Sequence, residues 1–170
     1  DTSIYSSIQE QIAWCDKEKI PHEIIPGVSS FCAGAACLKQ ELTLPDISQT
    51  VIITRISGRT KVPKKEDLKT LSKIKATIVI FLSVDKIDEV ASQLSYGYGS
   101  DTPVAVVSRV SWPDEKIIVG TLKDIAEKVK REKINRQALI FVGDVLRKKD
   151  FKKSRLYDKS FEHSYRKKKR

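Results

Sequence analysis

Apolar residues near the start of the chain recur at intervals of four and three, the spacing of one helix face. They are Ile4, Ile8, Ile12 and Cys15. The pattern predicts a helix within Ser3–Lys19 that ends before Pro21, followed by a short strand at His22–Ile25. After the turn at Pro26 and Gly27, the small residues of Ser30–Leu38 predict a second helix that can approach its neighbours closely.

From residue 50 onward, short β-branched runs alternate with turn and helix signals. Ala76–Leu82 and Pro103–Ser108 are almost uninterrupted apolar runs, which predict strands buried on both faces. Further strands are predicted at Thr50–Thr54, Lys116–Gly120 and Ala138–Val142. Helices are predicted at Glu66–Leu71, from a capping Asp85 to Leu94, and at Leu122–Arg131, which Thr121 and Asp124 open as a capping pair. Some neighbouring strands need hairpin connections, so we predict an α/β fold with a mixed sheet.

A proline and a change of composition at Leu42–Ser48 indicate a connection between two units. We predict the remainder of an N-terminal α/β domain at residues 1–45, which would be the end of a cofactor and substrate domain. A complete C-terminal α/β domain with a mixed sheet is predicted at residues 46–146. Residues 147–170 form a basic C-terminal extension.

The net charge of +10 is concentrated at the end of the chain. Arg147–Arg170 holds twelve of the 32 basic residues and three of the 22 acidic ones, which leaves 20 basic and 19 acidic residues elsewhere. The body of the chain is therefore electrostatically ordinary. The tail keeps open a second class of function, a binding module that contacts nucleic-acid phosphates or another acidic surface.

The composition also limits the compartment and the chemistry. No apolar run approaches the roughly 18 residues of a membrane span, and the first residues lack the features of a signal peptide. Three cysteines without CxxC spacing argue against a disulfide scaffold and a metal site, and favour the cytoplasm. The two histidines, His22 and His163, have no nucleophile or carboxylate partner at motif spacing, so no catalytic triad is predicted.

Six segments, in order and at matching intervals, resemble the motifs of the class III S-adenosylmethionine-dependent methyltransferases, the tetrapyrrole methylases. They are DTSIY at Asp1–Tyr5, PGVSSF at Pro26–Phe31, IFLS at Ile80–Ser83, PVAVV at Pro103–Val107, GTLKDI at Gly120–Ile125 and ALIFVG at Ala138–Gly143. Thr2 stands where the family usually has proline. The resemblance implies S-adenosylmethionine as cofactor, S-adenosylhomocysteine as product, a tetrapyrrole substrate and a homodimer.

Three further stretches narrow the resemblance to one branch of the family. They are LTLPDISQTVIIT at Leu42–Thr54, SWPDEK at Ser111–Lys116 and SRLYDKSFEHSYR at Ser154–Arg166. That branch methylates C-11 of precorrin-4 or cobalt-precorrin-4 in cobalamin biosynthesis; another precorrin or uroporphyrinogen methylase of the family is the alternative. Family members also carry a GxGPGD loop that is not found in this sequence. We therefore expect an N-terminally truncated chain that binds cofactor weakly or not at all and lacks turnover.

The resemblance implies cofactor contacts at positions that match the family's motifs. These are Asp1, Ile4, Tyr5, Ser29, Ser30, Leu82, Val110 and Ala138. For Ser29 and Ser30 the alternative is that they only cap a helix. For Ile4, Leu82, Val110 and Ala138 the alternative is ordinary core packing.

The substrates of the family carry acetate and propionate groups, which arginine binds well. Arg109 follows the strand at Pro103–Ser108, and Arg55 precedes the basic loop at Gly58–Lys65. We predict that both arginines bind substrate, whereas the lysines of the loop are also explained as a solvated surface. No residue is identified as a base.

Overall fold

A computed structural model describes residues 1–147, in which a five-stranded sheet carries helices on both faces. The strands are β1 (Val51–Arg55), β2 (Thr77–Phe81), β3 (Pro103–Ser108), β4 (Lys116–Thr121) and β5 (Ala138–Val142). The helices are α1 (Ile8–Lys17), α2 (Ser30–Cys37), α3 (Leu68–Ser72), α4 (Ile87–Tyr98) and α5 (Ile125–Arg131). Short 3-10 turns occupy Lys64–Glu66, Val84–Lys86 and Asp144–Arg147.

The sheet is mixed, as the sequence predicts, with strand order β1-β2-β5-β3-β4. The pair β1 and β2 is parallel, and the other three pairs are antiparallel. Because β2 and β3 are each antiparallel to β5, they run in the same direction. The carboxyl ends of β1, β2 and β3 therefore meet the amino ends of β4 and β5 at one edge of the sheet, which we call the site edge.

The three central strands are buried on both faces, which confirms the prediction for the apolar runs of β2 and β3. On one face α3, α4 and α5 contribute Leu68, Leu94 and Ile125, each almost fully buried. On the other face α2 packs against β5 at Gly34, where an added Cβ would lie only 2.6 Å from Cζ of Phe141. The absence of a side chain at Gly34 therefore sets how closely α2 approaches the sheet.

Several local expectations are wrong. His22–Ile25 is not a strand, because no strand within residues 1–147 pairs with it. Asp85 lies inside a 3-10 turn instead of capping α4. Thr121 and Asp124 are hydrogen-bonded, since the Asp124 carboxylate accepts the Thr121 amide at 2.7 Å, but they do not cap the helix as predicted. Thr121 is the last residue of β4, and Asp124, the N-cap residue of α5, makes no side-chain capping bond. The helix that follows begins only at Ile125.

The connection at residues 42–48 packs against the sheet on the face that α2 covers. Leu42 is buried with Leu38 in the same cluster as Phe141, and its carbonyl accepts a bond from the Thr77 hydroxyl at 2.8 Å. The predicted boundary after residue 45 stays a prediction. The stretch Ser154–Arg166 and nearly all of the basic extension lie outside the described residues. Within residues 1–147 no helix is both long and apolar enough to cross a bilayer.

Candidate functional site

At the site edge, three adjacent strands are each flanked by a residue with a positive φ angle. Leu82 follows β2, Arg109 follows β3 and Gln137 precedes β5, and all three have a φ of 51°. This left-handed conformation costs a residue with a side chain about 1–2 kcal/mol. Such strain concentrates where ligands bind, because only the surrounding structure maintains it. Eleven non-glycine residues of the described chain have a positive φ, and because three of them meet at the site edge, this edge is a candidate ligand site.

Hydrogen bonds hold these strand ends in place. The Arg109 amide donates to the Gln137 carbonyl at 2.8 Å, one step beyond the paired residues Ser108 and Ala138. Next to Leu82, the buried Ser83 hydroxyl donates to the Phe81 carbonyl and accepts a bond from the Ile56 amide at 2.9 Å. The chain thus turns sharply at each strand end without leaving its polar groups unpaired.

A cleft of about 550 Å³ opens at this edge, a volume typical of small-molecule sites. Five of the ten site residues predicted from sequence line it, namely Ser30, Leu82, Arg109, Val110 and Ala138. Leu82 is 71% exposed, so core packing does not account for it. Ala138 is buried, lines the cleft and also belongs to the core beneath α3, α4 and α5.

The first turn of α2 also reaches the cleft, through Ser30. Ser29 is the N-cap residue of α2, yet its hydroxyl makes no capping hydrogen bond. Its carbonyl accepts the Cys32 amide at 2.9 Å, so the helix begins there through backbone contacts alone. If the two serines served only as caps, a serine hydroxyl would make a capping hydrogen bond, and the Ser29 hydroxyl makes none. The N-terminal end of α2 therefore remains suited to an anionic group.

The remaining cofactor residues lie beside the cleft lining. The Tyr5 ring packs on Phe81, which lines the cleft, with 5.3 Å between their centroids, and Ile4 packs against the core under α2. Asp1 lies against Gly27, where an added Cβ would be 3.1 Å from the Asp1 Cα atom. The two segments that resemble cofactor motifs, residues 1–5 and 26–30, are therefore adjacent in space.

Arg109 is held by its neighbours within the cleft wall. Its Nε atom donates to the Asp114 carboxylate at 2.7 Å, and Nη1 donates to Oε1 of Gln137 at 3.1 Å. Its Cζ atom lies 4.4 Å from the centre of the Trp112 ring, within the range of a cation–π contact. The bond from Arg109 lowers the pKa of the Asp114 carboxyl below its ordinary value.

Arg55 does not line the cleft. Its guanidinium donates to the carbonyls of Thr60 at 3.0 Å and of Ile56 and Lys61 at 3.3 Å, so it anchors the basic loop. It also favours ionisation of the nearby Tyr5 hydroxyl, although burial outweighs this effect and raises the pKa of Tyr5. Its role toward the substrate stays a prediction.

The Glu115 carboxylate ties the loop between β3 and β4 to α2. One of its oxygens accepts the Cys37 thiol at 2.8 Å, and the other accepts the Ser111 amide at the same distance. Burial, together with the bond to Glu115, raises the pKa of the Cys37 thiol to about 11. The same thiol donor, followed by the Ser111 amide, lowers the pKa of Glu115. Glu115 therefore binds this loop to α2 through Cys37 and to its own backbone through Ser111. The loop forms one wall of the cleft.

Sequence reasoning did not identify several residues that line the cleft, including Trp112, Asn135, Arg136 and Gln137. The signal for Trp112 was its place in the stretch SWPDEK, which was used only to narrow the resemblance. Residues 135–137 precede a predicted strand, but nothing local showed that this strand lies beside β3. Within residues 1–147, no three His, Cys, Asp or Glu side chains are grouped as a metal site requires.

Comparisons with known proteins agree with this geometry. The sequence profile of the Tetrapyrrole (Corrin/Porphyrin) Methylases matches residues 1–126. The cobalt-precorrin-4 C(11)-methyltransferase of Methanocaldococcus jannaschii is 59% identical over 168 residues, which are 98% of this chain and 65% of that protein. The chain thus spans slightly less than two thirds of the length of this relative.

Solved structures give the same result. The X-ray structure of a cobalt-precorrin-4 methyltransferase, described as a cobalamin biosynthetic enzyme, superposes with a TM-score of 0.83 at 44% identity, over 86% of this chain and 62% of that one. The uroporphyrin-III C-methyltransferase of Thermus thermophilus, in complex with S-adenyl homocysteine, superposes with a TM-score of 0.70. At 22% identity, over 86% of this chain and 64% of that one, this second likeness concerns the fold. The profile match and the close relative show that the chain belongs to the tetrapyrrole methylase family.

Proposed function

We propose that this chain belongs to a methyltransferase that moves a methyl group from S-adenosylmethionine to C-11 of precorrin-4 or cobalt-precorrin-4 in cobalamin biosynthesis. The relative that is 59% identical carries that activity in its name. One observation in the structure carries the proposal. The cofactor positions that the resemblance implies at Ser30, Leu82, Val110 and Ala138, which are far apart in sequence, line one cleft.

The cleft suits the cofactor in shape and in chemistry. Leu82, Val110 and Ala138 offer an apolar wall, while the start of α2 offers a hydroxyl and backbone amides suited to an amino-acid carboxylate. Asp85 adds an anionic group to the same lining. We propose that Asp1, Ile4, Tyr5 and Ser29 complete the cofactor site from its border.

When bound, S-adenosylmethionine supplies a methyl group on a sulfonium, which is already a good leaving group. The task of the chain is then to hold an electron-rich carbon in line with that methyl group, a proximity effect. This division of labour suits a cleft whose described lining has neither His nor Cys. The strand ends at Leu82, Arg109 and Gln137, each with a positive φ, shape the walls of this cleft.

We also propose that the complete enzyme is a homodimer located in the cytoplasm. The family resemblance supports the dimer, and three free cysteines support a reducing compartment. Light scattering during gel filtration tests the dimer, with a mass near 19.2 kDa for the purified chain as the contrary result.

A titration followed by ¹⁵N–¹H NMR tests cofactor binding, because it detects even weak complexes residue by residue. We expect S-adenosylhomocysteine to shift the amide signals of Ser30, Leu82 and Val110 and to leave those of Val119 and Lys128 unchanged. Leu82→Glu should abolish the shifts. Ile74→Glu is the matched control, because Ile74 is also an exposed apolar residue and does not line the cleft. Shifts confined to residues away from the cleft would contradict the proposal, and so would the absence of shifts in the chimera described next.

Complementation tests the reaction itself. A chimera that joins the N-terminal third of the Methanocaldococcus jannaschii relative to this chain should restore cobalamin synthesis in a bacterium lacking its precorrin-4 C(11)-methyltransferase. The same chimera with Leu82→Glu should fail. If a folded chimera fails to restore synthesis while the relative succeeds, the assignment of the reaction is wrong.

A further inference from the structure

Trp112 is a large apolar side chain that stays exposed at a ligand cleft. Its side chain lines the cleft, yet the residue is 57% exposed. Tryptophan is highly buried on average, and an exposed indole costs free energy that some contact normally offsets. In the described chain the ring forms one wall of a space large enough for a small molecule. It is a flat apolar surface with room for a second flat group.

The indole is held by contacts within the described chain. Arg109 lies over the ring, and Arg109 is itself fixed by Asp114 and Gln137. The backbone amide of Trp112 donates to the Arg109 carbonyl at 3.0 Å, so the turn that carries the ring is closed. A ring held in this way loses little conformational entropy on binding, which favours affinity.

A second guanidinium, that of Arg136, lies on the same lining. Besides Arg109, the charged residues that line the cleft are Asp85 and Arg136. The charge of Arg109 is matched by Asp114, whereas no ion pair to Arg136 is found within residues 1–147. A guanidinium binds a carboxylate through two parallel hydrogen bonds. A flat surface beside such a group suits a flat ring that carries carboxylates.

We propose that Trp112 stacks on the ring system of the methyl acceptor and that Arg136 binds one of its carboxylates. Arg109 is then a positioning residue that holds the indole, in addition to any contact that it makes with the methyl acceptor. This inference rests on the proposed function and names the part of the cleft that takes the substrate. The acceptor class is a partly conjugated tetrapyrrole macrocycle with several carboxylates at its rim.

The flat group could instead be the adenine ring of the cofactor, and the test separates the two. Uroporphyrin serves as the probe, because it is a stable flat tetrapyrrole with carboxylates on its rim. Its binding to the 170-residue chain is followed by its own absorbance and fluorescence, and S-adenosylhomocysteine binding by NMR. The variants are Trp112→Ala, Trp112→Phe, Arg136→Gln and Trp14→Phe. Trp14→Phe is the matched control, because Trp14 is the other tryptophan and lies on α1, outside the cleft lining.

We expect Trp112→Ala to weaken uroporphyrin binding at least tenfold and Trp112→Phe to restore most of it, because stacking needs an aromatic ring. Arg136→Gln should weaken binding about fivefold and make it less sensitive to salt. Trp14→Phe should change nothing, and S-adenosylhomocysteine should shift the same amides in all four variants. Circular dichroism checks that each variant is folded.

Each contrary result has a distinct meaning. If Trp112→Ala and Trp112→Phe both bind uroporphyrin as the unchanged chain does, Trp112 is not the stacking surface and the inference fails while the proposed function stands. If Trp112→Ala abolishes only the S-adenosylhomocysteine shifts, the ring belongs to the cofactor and the inference is wrong. If neither the unchanged chain nor the chimera binds either ligand, the inference and the proposed function both fail.

Discussion

The close contact between α2 and β5 offers a sharp test of the structure, because it fixes where Ser30 meets the cleft. Gly34 is the contact point, and an added Cβ would lie 2.6 Å from Cζ and 2.9 Å from Cε2 of Phe141. Carbon atoms pack at about 3.5–4.0 Å, so the ring would have to move by about 1 Å. Phe141 is completely buried, which leaves it little room to move.

We therefore expect Gly34→Val to lower the free energy of unfolding by about 2–3 kcal/mol. Overpacking a core typically costs about 1–3 kcal/mol, and three added carbon atoms place this change at the upper end. The better helix propensity of valine offsets only about 0.3 kcal/mol. Urea denaturation followed by circular dichroism measures the difference.

Ala36→Val is the matched control, because Ala36 is exposed on the same helix. It should cost only about 0.5 kcal/mol, the difference in helix propensity. Combining Gly34→Val with Phe141→Leu should cost less than the sum of the two single changes, since the smaller side chain makes room for the valine. If Gly34→Val unfolds at the same urea concentration as the unchanged chain, α2 does not pack on β5 as described, and the position of Ser30 at the cleft loses its support.

Two further predictions concern the cleft and its wall. Leu82→Gly should leave the chain at least as stable in urea, because glycine adopts the positive φ without strain and Leu82 buries little surface. The S-adenosylhomocysteine shifts in NMR should disappear in this variant. A loss of more than about 1 kcal/mol in the free energy of unfolding would instead show that Leu82 is packed in the core. The raised pKa of Cys37 means that its neutral thiol stabilises the fold fully below the ordinary pKa of 9.0, and that this contribution is lost as the pH rises toward about 11. Glu115→Gln should therefore speed alkylation of Cys37 by iodoacetamide at pH 9.0, as followed by mass spectrometry. An unchanged rate would show that Glu115 does not control the pKa of the thiol.

The sequence predicts the sheet better than it predicts the site. Uninterrupted β-branched runs located β2, β3 and β5 to within one residue, because strands covered on both faces need apolar side chains at every position. His22–Ile25 has the local composition of a strand but finds no partner in the described chain, and a strand is stabilised by its pairing. Local pattern predicts where a strand can form, whereas pairing decides whether it does.

The site depends on relations that no short window contains. The family motifs pointed to Leu82 and Ala138, but not to the cleft wall at Trp112 and Arg136. That wall exists because β5 lies between β2 and β3, which brings residues 135–137 beside Arg109. The positive φ of Leu82 was equally hidden, since leucine has no intrinsic preference for that conformation.

The central place of β5 has a consequence for how the protein is made. Of the strands within residues 1–147, β5 is the last to leave the ribosome, yet both β2 and β3 pair with it. Until it arrives, β1 with β2 and β3 with β4 can form only two separate ribbons, and contacts between distant parts of a chain form slowly. The binding cleft should therefore appear in a single late step, and a nascent chain stalled before Ala138 should present two additional open strand edges, those of β2 and β3, to chaperones.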